Sequence, residues 1–212
     1  MLKDFGYYAH VRKDLAGLVP EGVSRVLDVG CGIGSFGAFL KSRRERPIEV
    51  VGIELDADAA RQAEKNLDNV IVGDAGTIEL PFDKGYFDCI IYGDILEHLA
   101  DPWAVLAGHK EFLRPGGWIV ASIPNIAHYK TRRMLRRGEW NYEDAGILDR
   151  SHLRFFTIKS IKQMFKDAGF KIIAIDHAIR ASKFRRGINK IFKNCIIDSI
   201  AEQYLVTAQR ND

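Results

Sequence analysis

Three carboxylates and a run of glycines are the residues of this chain whose types and spacing could do chemistry. Asp28 stands just before the glycines of Asp28-Val29-Gly30-Cys31-Gly32-Ile33-Gly34. Glu54 follows in Gly52-Ile53-Glu54-Leu55-Asp56, and Asp74 in Gly73-Asp74-Ala75. Gly30, Gly32 and Gly34 can take positive φ, and they lack the Cβ atoms that would hold a ligand off the backbone. Glu54 lies about twenty residues beyond this turn, where a carboxylate can accept hydrogen bonds from both hydroxyls of a ribose. Asp74 can accept from an exocyclic amine. For any one of these acids, a solvated carboxylate at a strand end is the plain alternative. Three at successive strand ends argue against it and describe a nucleoside pocket.

Such a pocket needs a frame that brings several strand ends to one crevice. Strand-like segments at residues 25–29, 49–53, 69–72, 87–92, 118–122, 171–176 and 203–208 supply it. Helical stretches alternate with them at 8–18, 36–43, 58–66, 102–112, 159–168 and about 184–200. That alternation predicts an α/β fold, a Rossmann-like doubly wound sheet with helices on both faces. In such a sheet ligands bind beyond the carboxyl ends of the strands. Arg114-Pro115-Gly116-Gly117 reads as the stop of the fourth helix, Thr157 as an N-cap and Gly169 as a helix end. Between 125 and 156 the periodicity breaks into a basic, aromatic stretch, expected to be a cap inserted over the strand ends. With residues 1–20 as an N-terminal helical cap, residues 1–212 read as one domain.

Bulk properties narrow the class. The chain has 212 residues and a formal charge of +3, so charge alone does not call for nucleic acid or membrane. Cys31, Cys89 and Cys195 do not form an even disulfide framework, and no cysteine–histidine cluster suggests structural zinc. Neither a leader-like apolar start nor a membrane-length apolar run is present, so a cytoplasmic location is expected.

Gly32-Ile33-Gly34-Ser35-Phe36-Gly37 satisfies the dinucleotide pattern G-x-G-x-x-G, but in a poor register, because Gly30 is the glycine that follows the strand. Asp28 would also set a negative charge beside an anionic pyrophosphate. A phosphate-free cofactor with an amine and a positive sulfur, S-adenosylmethionine, fits better. The motifs already quoted, with Phe87-Asp88-Cys89-Ile90-Ile91 and Leu113-Arg114-Pro115-Gly116-Gly117, together resemble a class I S-adenosylmethionine-dependent methyltransferase, type 11/23-like, over roughly residues 22–124. Asp149-Arg150-Ser151-His152-Leu153-Arg154-Phe155-Phe156-Thr157 resembles a small-molecule subgroup associated with glycan or ubiquinone-like pathways. The resemblance implies the sheet order 3-2-1-4-5-7-6 with strand seven antiparallel. It implies that Asp28, Gly30, Cys31, Gly32 and Gly34 hold the methionine moiety, with Gly93 completing the cofactor set. Glu54 would take the ribose, Leu55 the adenine face, and Asp74 with Ala75 the amine edge. The product would be S-adenosylhomocysteine.

On the acceptor side, His98 in Tyr92-Gly93-Asp94-Ile95-Leu96-Glu97-His98 is a candidate base or substrate contact, or else a histidine that orients its own loop. Asp94, Glu97 and His98 have the spacing of one helical face and resemble a metal pattern of some quinone O-methyltransferases. Relatives carry Glu-His there without metal, and none is expected here. His152, a second candidate catalytic residue, and Arg154 alternate as in a strand, either reaching an anionic acceptor or anchoring the cap. Tyr7 and Tyr8 precede the first helix and either close the cofactor pocket, with Tyr7 a candidate substrate contact, or pack as ordinary aromatics. Basic runs at 130–137 and 183–193 read as solvated faces, or as recognition of a phosphorylated, carboxylated or lipid-linked acceptor. No nucleic-acid module is present, and residues 183–200 leave peripheral membrane contact as a minor reading. The expected activity is O-methylation of a small molecule (sugar, quinone-like or lipid-linked) by a monomer or homodimer. One rival is a nicotinamide-dependent reductase, which lacks its Tyr-x-x-x-Lys pair here; another is a non-catalytic cofactor-binding partner subunit.

Overall fold

A computed structural model describes residues 11–178 and 197–211. Seven strands form one sheet: β1 (Arg25–Val29), β2 (Glu49–Glu54), β3 (Asn69–Val72), β4 (Phe87–Gly93), β5 (Leu113–Pro124), β6 (Phe170–Ala178) and β7 (Gln203–Arg210). Their order is β3-β2-β1-β4-β5-β7-β6, with β7 antiparallel to both β5 and β6 and the other pairs parallel. This is the order expected from the sequence. β1 is the switch point, with Val29 beside Ile53 on one edge and Tyr92 on the other. The crevice therefore opens where β1 and its two neighbours end.

Side-chain alternation along the central strands builds two apolar layers. Leu27, Val29, Ile90 and Tyr92 pack with Leu106, Ile161 and Phe165 on one face. Val26, Cys89, Ile91 and Val120 pack with Leu15, Leu40 and Ala63 on the other. Burying each such aliphatic side chain stabilises the fold by about 1.5–3 kcal/mol before entropy is counted.

Helices α1 (Lys13–Ala16), α2 (Ser35–Ser42) and α3 (Ala57–Ala63) serve the second face. Helices α4 (Pro102–His109) and α6 (Ile158–Asp167) serve the first. Short polar residues start them: Asp56 Oδ1 accepts from the Asp58 and Ala59 amides, and Asp101 Oδ1 from Ala104. Thr157 caps α6 in a reciprocal box with Ser160, and Gly169 leaves the helix at φ 79°. Helix α5 (Tyr129–Leu135) lies within the stretch read as aperiodic, and a single turn, α7 (Ile197–Ile200), precedes β7.

Several boundaries differ from the expectation. Arg114-Pro115-Gly116-Gly117 does not stop a helix but lies inside β5, because α4 already ends at His109 and a 3₁₀ turn, Lys110–Phe112, follows. The register against β4 jumps there from Phe87–Leu113 to Cys89–Trp118, and Gly116 takes φ 65°. The proline and glycines thus sit in a bulge that a regular ladder would exclude. Tyr7, Tyr8, Cys195, the start of the stretch read as 8–18 and most of that read as 184–200 lie outside the described residues. Among the described residues Cys31 and Cys89 are free thiols, and no helix is long and apolar enough to cross a membrane.

The chain leaves β5 at Asn125 and returns to it at Phe156 through an isolated bridge. Asn125 closes the base of this excursion by donating Nδ2 to the carbonyls of Asp198 and Ala201. Farther along, the amides of Leu153 and Arg154 both donate to the Glu97 carbonyl, which ties the returning segment to the end of β4.

Candidate functional site

A cavity of about 800 Å³ opens at the carboxyl ends of β1, β2 and β4, with residues of 145–153 as one wall. That is ample for a small-molecule ligand. Asp28, Gly30, Cys31, Gly32, Glu54, Leu55, Asp74, Ala75, Gly93, His98 and His152 all line it. Gly34 does not. It stands at the start of α2 with φ 77°, and a Cβ there would meet Ala63, Asn66 and Leu67 at 3.1–3.2 Å. Its smallness serves the packing of α2 against the end of α3.

The glycine turn is held from below. Gly30 and Cys31 both donate their amides to the Ile53 carbonyl, at 2.8 and 3.0 Å. Gly30 and Gly32 have φ 75° and 56°. Glu54 accepts from the Gly32 amide through Oε2 at 2.8 Å and from the Asp56 amide through Oε1 at 2.9 Å. The carboxylate read from sequence as a ribose acceptor therefore first clamps the turn to β2, and each of its oxygens keeps further acceptor capacity.

Asp28 is buried, and its Oδ2 has no hydrogen-bond partner among the described residues. Burial, and then the negative charge of Glu54, push its pKa up to about 7. A buried carboxyl of this kind, aimed into a cavity, is satisfied by a ligand ammonium. That fits the amine of the expected cofactor and would not suit a phosphate.

At the other end of the crevice Leu55 is 71% exposed, an apolar surface directly after Glu54. Asp74 Oδ1 accepts from the Gly76 amide at 2.8 Å and shapes the turn after β3. Beneath it lies a polar relay that the sequence did not reveal. Burial lowers the His109 pKa to about 4, and a ring nitrogen bonds the backbone of Ala75. Nδ1 of this neutral imidazole lies 3.0 Å from the Tyr92 hydroxyl, so Tyr92 donates to His109 and His109 donates to the Ala75 carbonyl. Tyr92 and His109 sit 17 positions apart in different elements, and no local pattern joins them.

Near the capping segment, the 3₁₀ turn Leu96–His98 places Glu97 in the interior and His98 at the cavity. His98 Nδ1 lies 3.1 Å from the Ser151 carbonyl, and His152 Nδ1 lies 3.1 Å from the Ile147 carbonyl. A carbonyl can only accept, so both rings carry their proton on Nδ1 and present Nε2 as the second nitrogen. The rings meet edge to face at 4.8 Å, and His152 Nε2 lies 4.0 Å from Glu97 Oε1. Glu97, His98 and His152 have donor types that suit a cation, with ligand atoms within 4.8 Å of one another.

Asp94 is not part of that group. It accepts from Arg12, from Ser122 Oγ at 2.7 Å and from Gln203 Nε2 at 2.8 Å, which draws together the segment before α1 and the ends of β4, β5 and β7. These bonds hold Asp94 at φ 56°, a conformation that costs a non-glycine residue about 1–3 kcal/mol. Arg12 and Gln203 line the cavity, although neither was singled out in the sequence. Arg154 is exposed and does not line the cavity; it donates to the carbonyl of Ala100, which does. Tyr7 lies outside the described residues.

A family model described as a methyltransferase domain matches residues 3–175. A demethylmenaquinone methyltransferase of Staphylococcus aureus is 25% identical over 166 residues, covering 69% of this chain and 68% of that protein. An uncharacterized 37.1 kDa protein in transposon TN4556 of Streptomyces fradiae is 35% identical over 104 residues, covering 47% of this chain and 30% of that protein. The match thus spans less than a third of the Streptomyces protein. Among solved structures, a SAM-dependent methyltransferase from Archaeoglobus fulgidus superposes with a TM-score of 0.68 at 22% identity, over 90% of this chain and 87% of that one. This likeness speaks for the fold.

Proposed function

We propose, from the premise that this chain belongs to the methyltransferase-domain family and is an S-adenosylmethionine-dependent methyltransferase, that it methylates an oxygen of a small-molecule acceptor. The observation that carries this reading is the pair of imidazoles, His98 and His152, each fixed through Nδ1 to a backbone carbonyl inside the cavity.

When bound, the cofactor supplies an electrophilic methyl group on a positive sulfur and departs as S-adenosylhomocysteine. Asp28 receives its ammonium, with Gly30, Cys31, Gly32 and Gly93 lining the same end. The unused lone pairs of Glu54 receive the ribose hydroxyls, Leu55 covers the adenine, and Asp74 and Ala75 meet the amine edge. Gly34 contributes by shaping the turn. Because methyl transfer is an in-line displacement, holding the acceptor oxygen in the wall formed by His98 and His152 supplies much of the rate.

His98 Nε2 takes the acceptor's proton as the oxygen attacks, and His152, backed by the buried Glu97, stabilises the charge that develops. Residues 125–156 act as the cap that excludes water, and residues 1–212 as one domain. Arg154 lies on that cap beside His152, where a swing off the Ala100 carbonyl brings it to an anionic acceptor; Tyr7 is assigned to the same acceptor. The acceptor class is a sugar, a quinone-like phenol or a lipid-linked molecule, and the Staphylococcus relative named for demethylmenaquinone supports the quinone-like end.

Membership of the family removes the reductase alternative, and turnover by the isolated chain is the result that would exclude a silent partner subunit. The test is His98→Ala. Turnover with labelled cofactor over an acceptor pool should fall about a hundredfold or more, the usual loss for a positioned base, while cofactor affinity by calorimetry stays within about twofold. Unchanged turnover removes His98 from catalysis.

A further inference from the structure

The capping segment carries a surface feature that methyl transfer does not explain. Between Lys130 and Arg137 stand five cations (Lys130, Arg132, Arg133, Arg136 and Arg137) and no acid, on α5 and the turn that ends it. All five are exposed, and so is Leu135 among them, at 51%. The chain then folds back on the helix end, with the Gly138 amide on the Leu135 carbonyl and the Glu139 amide on Met134. Trp140 and Tyr142 follow directly, 37% and 50% exposed.

These aromatic residues are the outer end of a ladder of rings. Tyr142 lies 6.2 Å from Trp140, Trp140 5.2 Å from Phe155, Phe155 6.3 Å from His152, and His152 4.8 Å from His98, all tilted or edge to face. A continuous row of packed rings therefore links these exposed aromatics, next in sequence to the basic helix, with the wall of the cavity.

We propose that this face, centred on Arg133, Leu135, Arg136, Arg137, Trp140 and Tyr142, docks on an anionic lipid bilayer and receives an amphiphilic acceptor from it. The five cations outnumber the three exposed acids that flank the aromatic residues (Glu139, Glu143 and Asp144), so the net charge is complementary to anionic headgroups, each cation near such a surface being worth about fivefold in partition. Tryptophan and tyrosine beside a basic helix are the side chains that settle at a membrane–water interface. Single-stranded nucleic acid is the other polyanion to weigh, and it uses open aromatic faces on which bases stack. Here the rings pack edge to face against one another, forming a wedge and not a stacking platform. The choice of an amphiphilic acceptor rests on the function proposed above; the docking itself does not.

The experiment is therefore a binding measurement on the full chain, without acceptor and without turnover. Cosedimentation with phosphatidylcholine vesicles, with and without phosphatidylglycerol, should show binding to the anionic vesicles that weakens as salt rises. Reversing Arg133, Arg136 and Arg137 to Glu should lower the partition about a hundredfold or more. The milder pair Arg136→Gln and Arg137→Gln should lower it about twenty-five-fold if the triple variant fails to fold. Trp140→Ala should weaken binding and leave its salt dependence unchanged. Equal binding to neutral vesicles, unchanged binding of the charge variants, or displacement of the vesicles by a single-stranded oligonucleotide each overturns the proposal. Failure of the acceptor reading leaves the vesicle result standing, and shows instead as normal docking with no methylation of lipid-dissolved acceptors.

Discussion

Glu54 reaches across 22 residues of chain to accept the Gly32 amide at 2.8 Å, while its other oxygen accepts from Asp56. The glycine turn that lines the cavity is thus fixed in place by the carboxylate that closes the neighbouring strand. The two features most visible in the sequence form one mechanical unit. Glu54→Ala should leave two amides without their acceptor and cost about 3–6 kcal/mol of stability, since each hydrogen bond to a charged group contributes about 1.5–3 kcal/mol. Glu54→Gln keeps one amide oxygen as acceptor and should lose less. Denaturant unfolding checks the order, and calorimetry with S-adenosylhomocysteine should show weaker binding in the same order.

If Asp28 receives the ligand ammonium, cofactor binding should be pH-dependent. Its folded pKa of about 7 lies above the ordinary carboxylate range, so the folded chain without ligand holds a proton that the unfolded chain has lost. Its contribution to stability therefore declines as pH rises from the ordinary carboxylate range through about 7. Binding has the opposite sign, because a ligand ammonium prefers the ionised carboxylate. Affinity for S-adenosylhomocysteine should fall as pH drops below about 7, by at most about tenfold per unit. Adenosine, which lacks the amino-acid end, should show no such slope, and Asp28→Asn should abolish it. A slope that persists in the Asn variant would remove Asp28 as its source.

What was legible followed from local pattern. The apolar run from Cys89 to Tyr92, the spaced glycines and the strand-end acids carry their meaning within a few residues, so the α/β class and the acids and glycines of the crevice could be read, while the sheet order came with the family resemblance that those motifs carry. Contacts made by distant residues could not. Arg12, Asp94, Ser122 and Gln203 meet only because β4, β5 and β7 end together, and the sequence instead grouped Asp94 with Glu97 and His98 on a helical face that the chain does not form. His152 takes that place from more than fifty residues away. The Pro115-Gly116-Gly117 bulge failed for the reverse reason, since breaker residues read as a stop are tolerated wherever a ladder has already slipped its register.

Gly30 is small for a steric reason that can be separated from its conformation. A Cβ there would sit 2.8 Å from Ile95 Cδ1, and φ is 75°. Gly30→Ala should therefore destabilise the chain by about 1–3 kcal/mol and weaken cofactor binding. Ile95→Val, which removes Cδ1, should restore part of that loss and leave the backbone share. Gly22 has open space around its Cβ position, and Gly22→Ala should stay within about 0.5 kcal/mol of the parent. Thermal unfolding of the set, with and without S-adenosylhomocysteine, checks all three.

Tyr92→Phe removes one hydroxyl from a fully buried site and leaves His109 Nδ1 without its donor. The cost should be about 1–3 kcal/mol, the penalty for an unsatisfied buried group. Ala75 hangs from the same imidazole, so adenosine affinity should fall along with stability. His109→Phe in the Tyr92→Phe background, which removes both polar partners, should recover stability relative to Tyr92→Phe alone without restoring adenosine affinity. Recovery of both would show that the relay supports the core and has no part in shaping the adenine end.

His98 and His152 touch edge to face and share the buried Glu97 as neighbour, so their contributions to turnover should not add. If His98 takes the proton and His152 stabilises the resulting charge, removing His98 leaves His152 nothing to stabilise. His98→Ala should then cost about a hundredfold or more in kcat, and His152→Ala should cost less. The double variant should fall no lower than His98→Ala alone, a coupling that a double-mutant cycle on kcat reads directly. Additive losses would mean that the two imidazoles act on separate steps. Cofactor affinity should stay within about twofold throughout if both rings act on the acceptor, and a parallel loss of cofactor binding would reassign both to positioning the methyl donor.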